Sequence, residues 1–368
     1  MSLSLRVNTQ SFGGWQRAIV SQSIDQLASS FSVELTERFP GSPHKWELRV
    51  GDSCEVWLDD SRMITGWVEE VPIEYDAKMH RIVISGRDAT GDLVDCSHAG
   101  SKTEWNGRKA IDIIDDLTEP FGIEVVVDDS ASAQIQKSVK KFTTNDGDSV
   151  FEEIRRITNN KAVLPVSYGD GKLYITQAGT KKASGTIERR NVLSGAAYQS
   201  NTDRFSQYVV KGQDQSDDTF SLFTTARPKG SATDSLIARY RPIVIVADTK
   251  VDSGTCRDRA DWEARRRAGD SRSWVFRVQG WTQPDGVPWP LNSLVRVRDD
   301  MLGIDGTFLI NSLRFSMDQD TGTVTEIGVC YPGKYELLSS MHPIENMKGS
   351  MDKDQVVADF LAGGLGDD

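Results

Sequence analysis

The chain has 368 residues and a formal net charge of −11, with 38% hydrophobic and 26% charged residues. That length supports two or three domains with cores of their own, and the composition is that of a globular chain. The acidic balance argues against indiscriminate nucleic-acid binding by the whole chain, and no apolar run reaches the roughly 18–20 residues of a membrane span.

The opening MSLSLRVNTQ has no basic region ahead of an apolar run, which argues against a secretory signal. Leu3, Leu5 and Val7 alternate with polar residues and predict a strand over 3–8. A Gly13-Gly14 turn leads to a second strand, Trp15–Ser21, and Ser23–Ser29 reads as a polar turn. Phe31, Val33 and Leu35 mark the next strand, ended by Pro40-Gly41-Ser42-Pro43. Cys54, Val56 and Leu58 share a face of another, with Asp59-Asp60-Ser61 as its turn. Ile64–Glu74 and His80–Ser85 complete this β-module, and Gly86–Ser97 closes it.

The character then changes. Asn106-Gly107 reads as the start of a helix carrying Ala110, Ile113, Ile114, Leu117 and Phe121 on one stripe, ended by Pro120 and Gly122. Ile123–Val127 is β-branched and predicts a strand. Ser149 and Glu152 form a capping box for a second helix that buries Val150, Ile154 and Ile157. Val163–Tyr168 and Lys172–Thr176, joined by Gly169-Asp170-Gly171, predict a hairpin. Residues 99–180 are therefore a compact α/β insert. Residues 181–200 and 214–235 are polar and predict loop, with Arg204–Lys211 between them as the opening strand of a second module. Thr255–Ala268 predicts a helix with Ala260, Ala264 and Ala268 on one face and five arginines elsewhere.

Four alternating runs follow: Trp274–Gln279, Ser293–Arg298, Thr307–Phe315 and Thr323–Val329. They predict an antiparallel meander long enough to curl into a small barrel. At one constant displacement, Ser53, Asp59, Asp60, Ile64 and Gly66 recur as Ser293, Asp299, Asp300, Ile304 and Gly306. Two copies of one β-module are expected, with Asp59-Asp60 and Asp299-Asp300 at equivalent turns. After Pro332 the chain has little core-forming material. Val356, Val357, Phe360 and Leu361 offer one small apolar face, either a frayed end or a docking segment that orders on a partner.

No chemical centre emerges. His44, His80, His98 and His342 stand apart from any metal-ligand spacing, and there is no phosphate loop or nucleotide-binding glycine pattern. Asp59-Asp60 and Asp299-Asp300 have the residue types of a glycosidase pair, but their place at hairpin turns favours a structural role. Asn145–Asp148 lacks the ligand spacing of a calcium loop. Arg265, Arg266 and Arg267, surrounded by Asp258, Asp261, Glu263 and Asp270, suit a salt-bridged helix or a subunit contact more than a phosphate grip. Cys54, Cys96, Cys256 and Cys330 are scattered, as in a chain folded in a reducing cytoplasm.

Several segments carry a resemblance: GRDATGDLVDCS at Gly86–Ser97, AxWExRRRAGDS at Ala260–Ser271, VQGW at Val278–Trp281 and VPWPLNSLVRVRDDMLGIDGTFLI from Val287. Together, over roughly residues 30–332, the chain resembles the central baseplate hub proteins of Mu-like contractile-tailed bacteriophages. That family is grouped with late control protein D and is akin to the N-terminal part of type VI secretion spike proteins. The resemblance implies an α+β, mainly β fold with two similar antiparallel β-barrel modules separated by a small α/β domain. The modules fall at 1–98 and 181–332, the latter with a loop and helix insertion at 214–270, the α/β domain at 99–180 and a flexible tail at 333–368. It also implies a homotrimeric structural virion protein of the tail baseplate, made in the host cytoplasm. Its partners would be tail tube or adaptor proteins, the central spike and other baseplate proteins, with DNA only as passing cargo, and with no membrane, cofactor or metal. The competing reading is a tail-associated cell-wall hydrolase or carbohydrate-binding module, kept open by nine tryptophans.

Overall fold

A computed structural model describes residues 2–8, 10–35, 48–76, 80–161, 163–212, 228–246 and 253–335. The amino-terminal part contains β1 (Leu3–Val7), β2 (Gln10–Phe12), β3 (Arg17–Ser23), β4 (Ser30–Leu35), β5 (Ser53–Leu58), β6 (Ser61–Glu70), β7 (Ile73–Tyr75) and β8 (His80–Asp88). The expected single strand Ile64–Glu74 breaks at Val71-Pro72, giving β6 and β7. Alternation sets the faces: in β3, Ala18, Val20 and Gln22 are buried while Arg17, Ile19, Ser21 and Ser23 lie on the other side.

Helix α1 (Gly91–Asp95) leads into the insert. There β9 (Glu104–Lys109), α2 (Ala110–Thr118), β10 (Val125–Val127), α3 (Asp129–Ile135), β11 (Ser138–Thr143), α4 (Val150–Lys161), β12 (Leu164–Val166) and β13 (Leu173–Thr176) follow in order. The predicted hairpin is present, with Pro165 opposite Ile175, and β10 joins it in parallel. The capping box on α4 is present too: Glu152 accepts from the Ser149 amide at 2.8 Å, and Ser149 Oγ accepts from the Glu152 amide at 3.3 Å. Asn106-Gly107 does not open a helix. These residues belong to β9, which pairs with β11 so that Trp105, 1% exposed, enters the insert's core; the helix starts at Ala110. That core also takes in Leu27 and Leu93, so α1 packs with the insert.

The rest comprises β14 (Lys181–Glu188), β15 (Val192–Gln199), β16 (Gln207–Lys211), β17 (Lys229–Thr233), β18 (Pro242–Val246), α5 (Ser253–Asp270), β19 (Arg272–Gln279), β20 (Ser293–Asp299), β21 (Ile304–Asp318) and β22 (Gly322–Cys330). The four alternating runs of the sequence are β19 to β22. Residues 181–200 are strands rather than loop: β14 pairs with β20 and β15 with β19, so tertiary pairing overrides a polar composition. Residues 229–233 form a strand as well, while 214–227 lie outside the described residues. Strand β16 does not open the second module. It is the middle of a separate sheet, β17-β16-β18, whose Tyr208, Val210 and Ala232 pack on Cys256 and Ala260 of α5.

The remaining strands form one sheet in which the two halves have the same order. The first runs β1-β5-β6-β8-β4-β3 and the second β14-β20-β21-β22-β19-β15. The first strand alone differs in direction, antiparallel at β1–β5 and parallel at β14–β20. A ladder irregularity follows Val68 in β6 and Ile310 in β21, at the same place in each half. Among the described residues no ladder closes either set. The halves join where β21 pairs with β3, and a single core lies beneath both. The constant displacement of the sequence repeat, however, is out of phase with this match. Ser53 is exposed and Ser293 is 0% exposed; the inward residues that correspond are Cys54 opposite Gly66 and Val295 opposite Phe308. The second hairpin has the longer loop, and a one-residue slip exchanges the two faces of a strand.

Candidate functional site

The described side chains form surfaces rather than a reaction centre. Among the described residues no group of three His, Cys, Asp or Glu is placed to hold a metal ion. His98 Nε2 lies 3.0 Å from the Lys102 carbonyl on the surface, and His44 and His342 lie outside the described residues. Asn145 Nδ2 donates to Asp148 Oδ2 at 2.8 Å, and the Asn145 amide donates to Glu153, so this loop belongs to the start of α4. Cys54, Cys256 and Cys330 are buried and Cys96 is exposed; burial pushes the Cys54 and Cys330 thiols up to about 12.

The two aspartate pairs sit at the tips of corresponding hairpins, β5–β6 and β20–β21, with different local work. Asp59 has a left-handed backbone, φ 48°, and its Oδ1 accepts from the Ser2 amide at 2.7 Å. Asp299 is 4% exposed, and its Oδ1 accepts from the Met301 and Leu302 amides, shaping the longer loop. On α5, Arg265 and Arg266 are exposed, and Arg266 stacks over Trp262 at 5.4 Å. Arg267 is engaged within the chain, with Glu263 at 3.2 Å and the Asp203 carbonyl at 3.3 Å. Val356, Val357, Phe360 and Leu361 lie outside the described residues.

The central sheet presents a polar face. A row of cross-strand partners runs Arg277, Glu326, Arg314, Ser21, Ser30, Arg87 and Trp67 across β19, β22, β21, β3, β4, β8 and β6. Alternation puts all seven on the face opposite the core, and a cleft of about 460 Å³ opens on it beside Ser21, Ser312, Arg314 and Glu326. Its arginines are largely neutralised. Arg81 grips Glu34 with two bonds of 2.7 and 3.0 Å, Arg87 binds Glu69 at 2.7 Å as well as Asp95, and Arg277 meets Glu326 at 3.4 Å. The Arg81 guanidinium holds the Glu34 carboxyl below its ordinary range. Trp67 is 41% exposed here, and Trp57, stacked under Arg6 at 4.2 Å, is off the core as well. Core packing thus explains Trp274 and Trp281 but not these two.

Asp88 ties the first half to the insert. It is 1% exposed, and it accepts from the Ser29 amide at 2.6 Å, the Thr90 amide at 2.8 Å, the Thr90 hydroxyl and the Ser167 hydroxyl at 3.0 Å. Burial raises its carboxyl above the ordinary range against the pull of these donors. Beside it Gly169, φ 88°, accepts from the Thr65 amide at 2.7 Å; a Cβ there would lie 1.9 Å from the Met63 carbonyl oxygen. The sequence flagged the segment GRDATGDLVDCS but not this role, because two of the four donors come from Ser29 and Ser167, far along the chain.

Comparison with known proteins accounts for most of the chain. The family described as Mu phage baseplate assembly protein GpP-like, N-terminal, matches residues 2–88. Baseplate hub protein gp44-like, second domain, matches residues 90–177, and Mu phage baseplate assembly protein GpP, fourth domain, matches 252–338. The baseplate hub protein gp44 of Escherichia phage Mu is 29% identical over 336 residues, 89% of this chain and 87% of that protein. The crystal structure of the prophage MuSo2 43 kDa tail protein from Shewanella oneidensis is similar with a TM-score of 0.81 and 29% identity, covering 92% of this chain and 100% of that one. An E. coli component of the type VI secretion system shares the fold, with a TM-score of 0.56 at 9% identity over 92% of this chain and 80% of that one.

Proposed function

We propose that the chain is a baseplate hub protein of the Mu-like kind, as its similarity to that family suggests, and that three copies of it form a ring joining the tail tube to the central spike. It is a structural tail protein and not an enzyme. In the proposed ring each half of the sheet curls into a barrel, the first over 1–98 and the second over 181–332. The α/β domain of 99–180 lies between them, and the β16–β18 sheet with α5 is an insertion in the second. Six barrels then surround the axis. A threefold particle with sixfold-like walls meets both a sixfold tube and a threefold spike through closed cyclic contacts.

The observation that carries this reading is the shared strand order of the two halves within one chain. The polar sheet face suits the wall of an axial channel for DNA. Its arginines are mostly paired with carboxylates, and a wall of unpaired cations would hold the phosphates. Tube or adaptor proteins, the spike and other baseplate proteins are the partners, and the virion baseplate is the location, reached after folding in the host cytoplasm. Arg265 and Arg266 on α5 serve as a subunit contact, with Arg267 bracing the helix. Residues 356–361 dock on the spike. The reading as a tail-borne hydrolase or carbohydrate-binding module is not adopted, since the relatives are hub and tail proteins.

Negative-stain imaging of the purified protein tests the proposal. Rings with an axial hole and six lobes are expected. Compact particles without a hole at any concentration would overturn it.

A further inference from the structure

After β22 the chain returns to the end of α5. The turn Pro332–Tyr335 passes so close to the helix that a Cβ on Gly269 would lie 2.9 Å from the Lys334 Cα. A pocket of about 280 Å³ opens beside this crossing. Leu236, Ala268 and Tyr331 give it apolar walls, and Arg204, Arg265 and Arg272 line it as well. Arg204 is buried and committed to Asp234 at 2.7 Å. Arg265 donates to the Asp261 carbonyl at 3.3 Å, and among the described residues neither Arg265 nor Arg272 forms an ion pair. Apolar walls beside two uncompensated guanidinium groups suit an apolar side chain flanked by carboxylates.

The chain itself contains such a segment, and the approach to it starts at the pocket. Gly333 lines the pocket, and two residues on the chain is anchored. The Tyr335 hydroxyl donates to Asp25 at 2.8 Å, and Lys334 Nζ meets Asp25 at 3.2 Å and Asp270 at 3.5 Å. Residues 336–368 lie outside the described residues and hold seven acidic residues against two lysines, so −5 of the chain's −11 falls there. Asp352, Asp354 and Asp359 are interleaved with Val356, Val357, Phe360 and Leu361. Sixteen residues, 336–351, separate the anchor from Asp352. Fully extended they span roughly 50 Å, enough to fold back on the pocket. Tethering raises the local concentration of the segment, so a contact of modest affinity is occupied.

We propose that the pocket between α5 and the Pro332–Tyr335 turn is the seat of the chain's own acidic segment, residues 352–361. An apolar side chain of 356–361 fills the pocket and the aspartates meet Arg265 and Arg272. The seat opens and closes while the fold stays intact. Arg266 is not part of the lining and remains available as a subunit contact. The consequence for the spike rests on the hub reading: the segment that docks there is held on the hub until the spike takes it over.

The test is disulfide trapping in the full-length protein carrying Cys96→Ser, which removes the exposed thiol. Leu236→Cys at the pocket is combined with Ala358→Cys in the segment. In the control Val50→Cys, at an exposed position outside the pocket, replaces Leu236→Cys. Mild oxidation should join the two cysteines within one chain, faster for Leu236→Cys than for the control, as read by mass spectrometry of the linked peptides. Arg265→Glu with Arg272→Glu should slow the trapping by about tenfold or more, and so should Asp352→Lys with Asp354→Lys and Asp359→Lys. The two sets together should restore it, which separates lost attraction from lost folding. Equal rates for Leu236→Cys and the control would overturn the seat and leave the pocket to a partner protein. A rate unmoved by either reversal, or not restored by the combination, would overturn it too. Covalent dimers in place of links within one chain would put the segment on a neighbouring copy and overturn the own-chain seat. Failure of the hub reading would show separately, as a single-chain mass in light scattering with the trapping unchanged.

Discussion

Replacing Asp88 by alanine gives the sharpest test of how the first half is held to the insert. The carboxylate accepts four hydrogen bonds, two of them from backbone amides, at Ser29 and Thr90. The Ser167 and Thr90 hydroxyls can turn to other acceptors, and Ser167 Oγ already accepts from the Gly169 amide at 3.1 Å. The two amides have fixed directions. A buried donor left without an acceptor costs about 1–3 kcal/mol, so Asp88→Ala should lose about 2–6 kcal/mol of stability. Ser167→Ala removes one donor and leaves the carboxylate three others, and should lose about 1.5–3 kcal/mol at most. Urea unfolding of the two variants beside the parent, followed by intrinsic fluorescence, reads both numbers from the midpoints. An Asp88→Ala protein within about 0.5 kcal/mol of the parent, at the level of an ordinary surface substitution, would refute the latch.

Three further outcomes follow from named contacts. Glu34 has its carboxyl lowered by Arg81, so its stabilisation is present above the ordinary carboxylate value of 4.5 and is lost as pH falls through the lowered one. The stability gap between the parent and Glu34→Gln should therefore be open at neutral pH and close in acid; a gap that widens in acid would contradict the assignment. Gly169→Ala should destabilise and loosen the insert, read as faster hydrogen exchange at the Thr65 amide, because the new Cβ meets the Met63 carbonyl at 1.9 Å. Truncation after Ser340 should keep the melting temperature and the oligomeric state while abolishing co-purification with the spike; unfolding or dissociation would place the segment in the core or the subunit seam. Burying Val356, Val357, Phe360 and Leu361 on a partner is worth roughly 1.5–3 kcal/mol each before ordering costs, a modest dock.

Much of the fold was legible because burial writes a period into the sequence. The four runs from Trp274 to Val329, the capping box at Ser149–Glu152 and the hairpin around Gly169-Asp170-Gly171 each follow from local rules, and each has its counterpart in the structure. Strands β14 and β15 escaped because their pairing partners lie far along the chain, at β20 and β19, and their own residues are polar or small. In β15 the exposure on both faces erases the alternation by which a strand is recognised. The repeat was visible as a recurrence, yet identity matching set its phase wrongly. The inward positions, Cys54 and Val56 against Val295 and Val297, are related by side-chain direction, whereas Ser53 and Ser293 match in name and lie on opposite faces. The polar face was hidden for a related reason. Its row from Arg277 to Trp67 takes one residue from each of seven strands, and strand order alone brings them together.

The mass of the assembled protein tests the central claim most directly. Light scattering on the purified full-length chain, over a wide concentration range, should give three times the 40.8 kDa of one chain. A single-chain mass that persists at the highest concentration would contradict the hub ring.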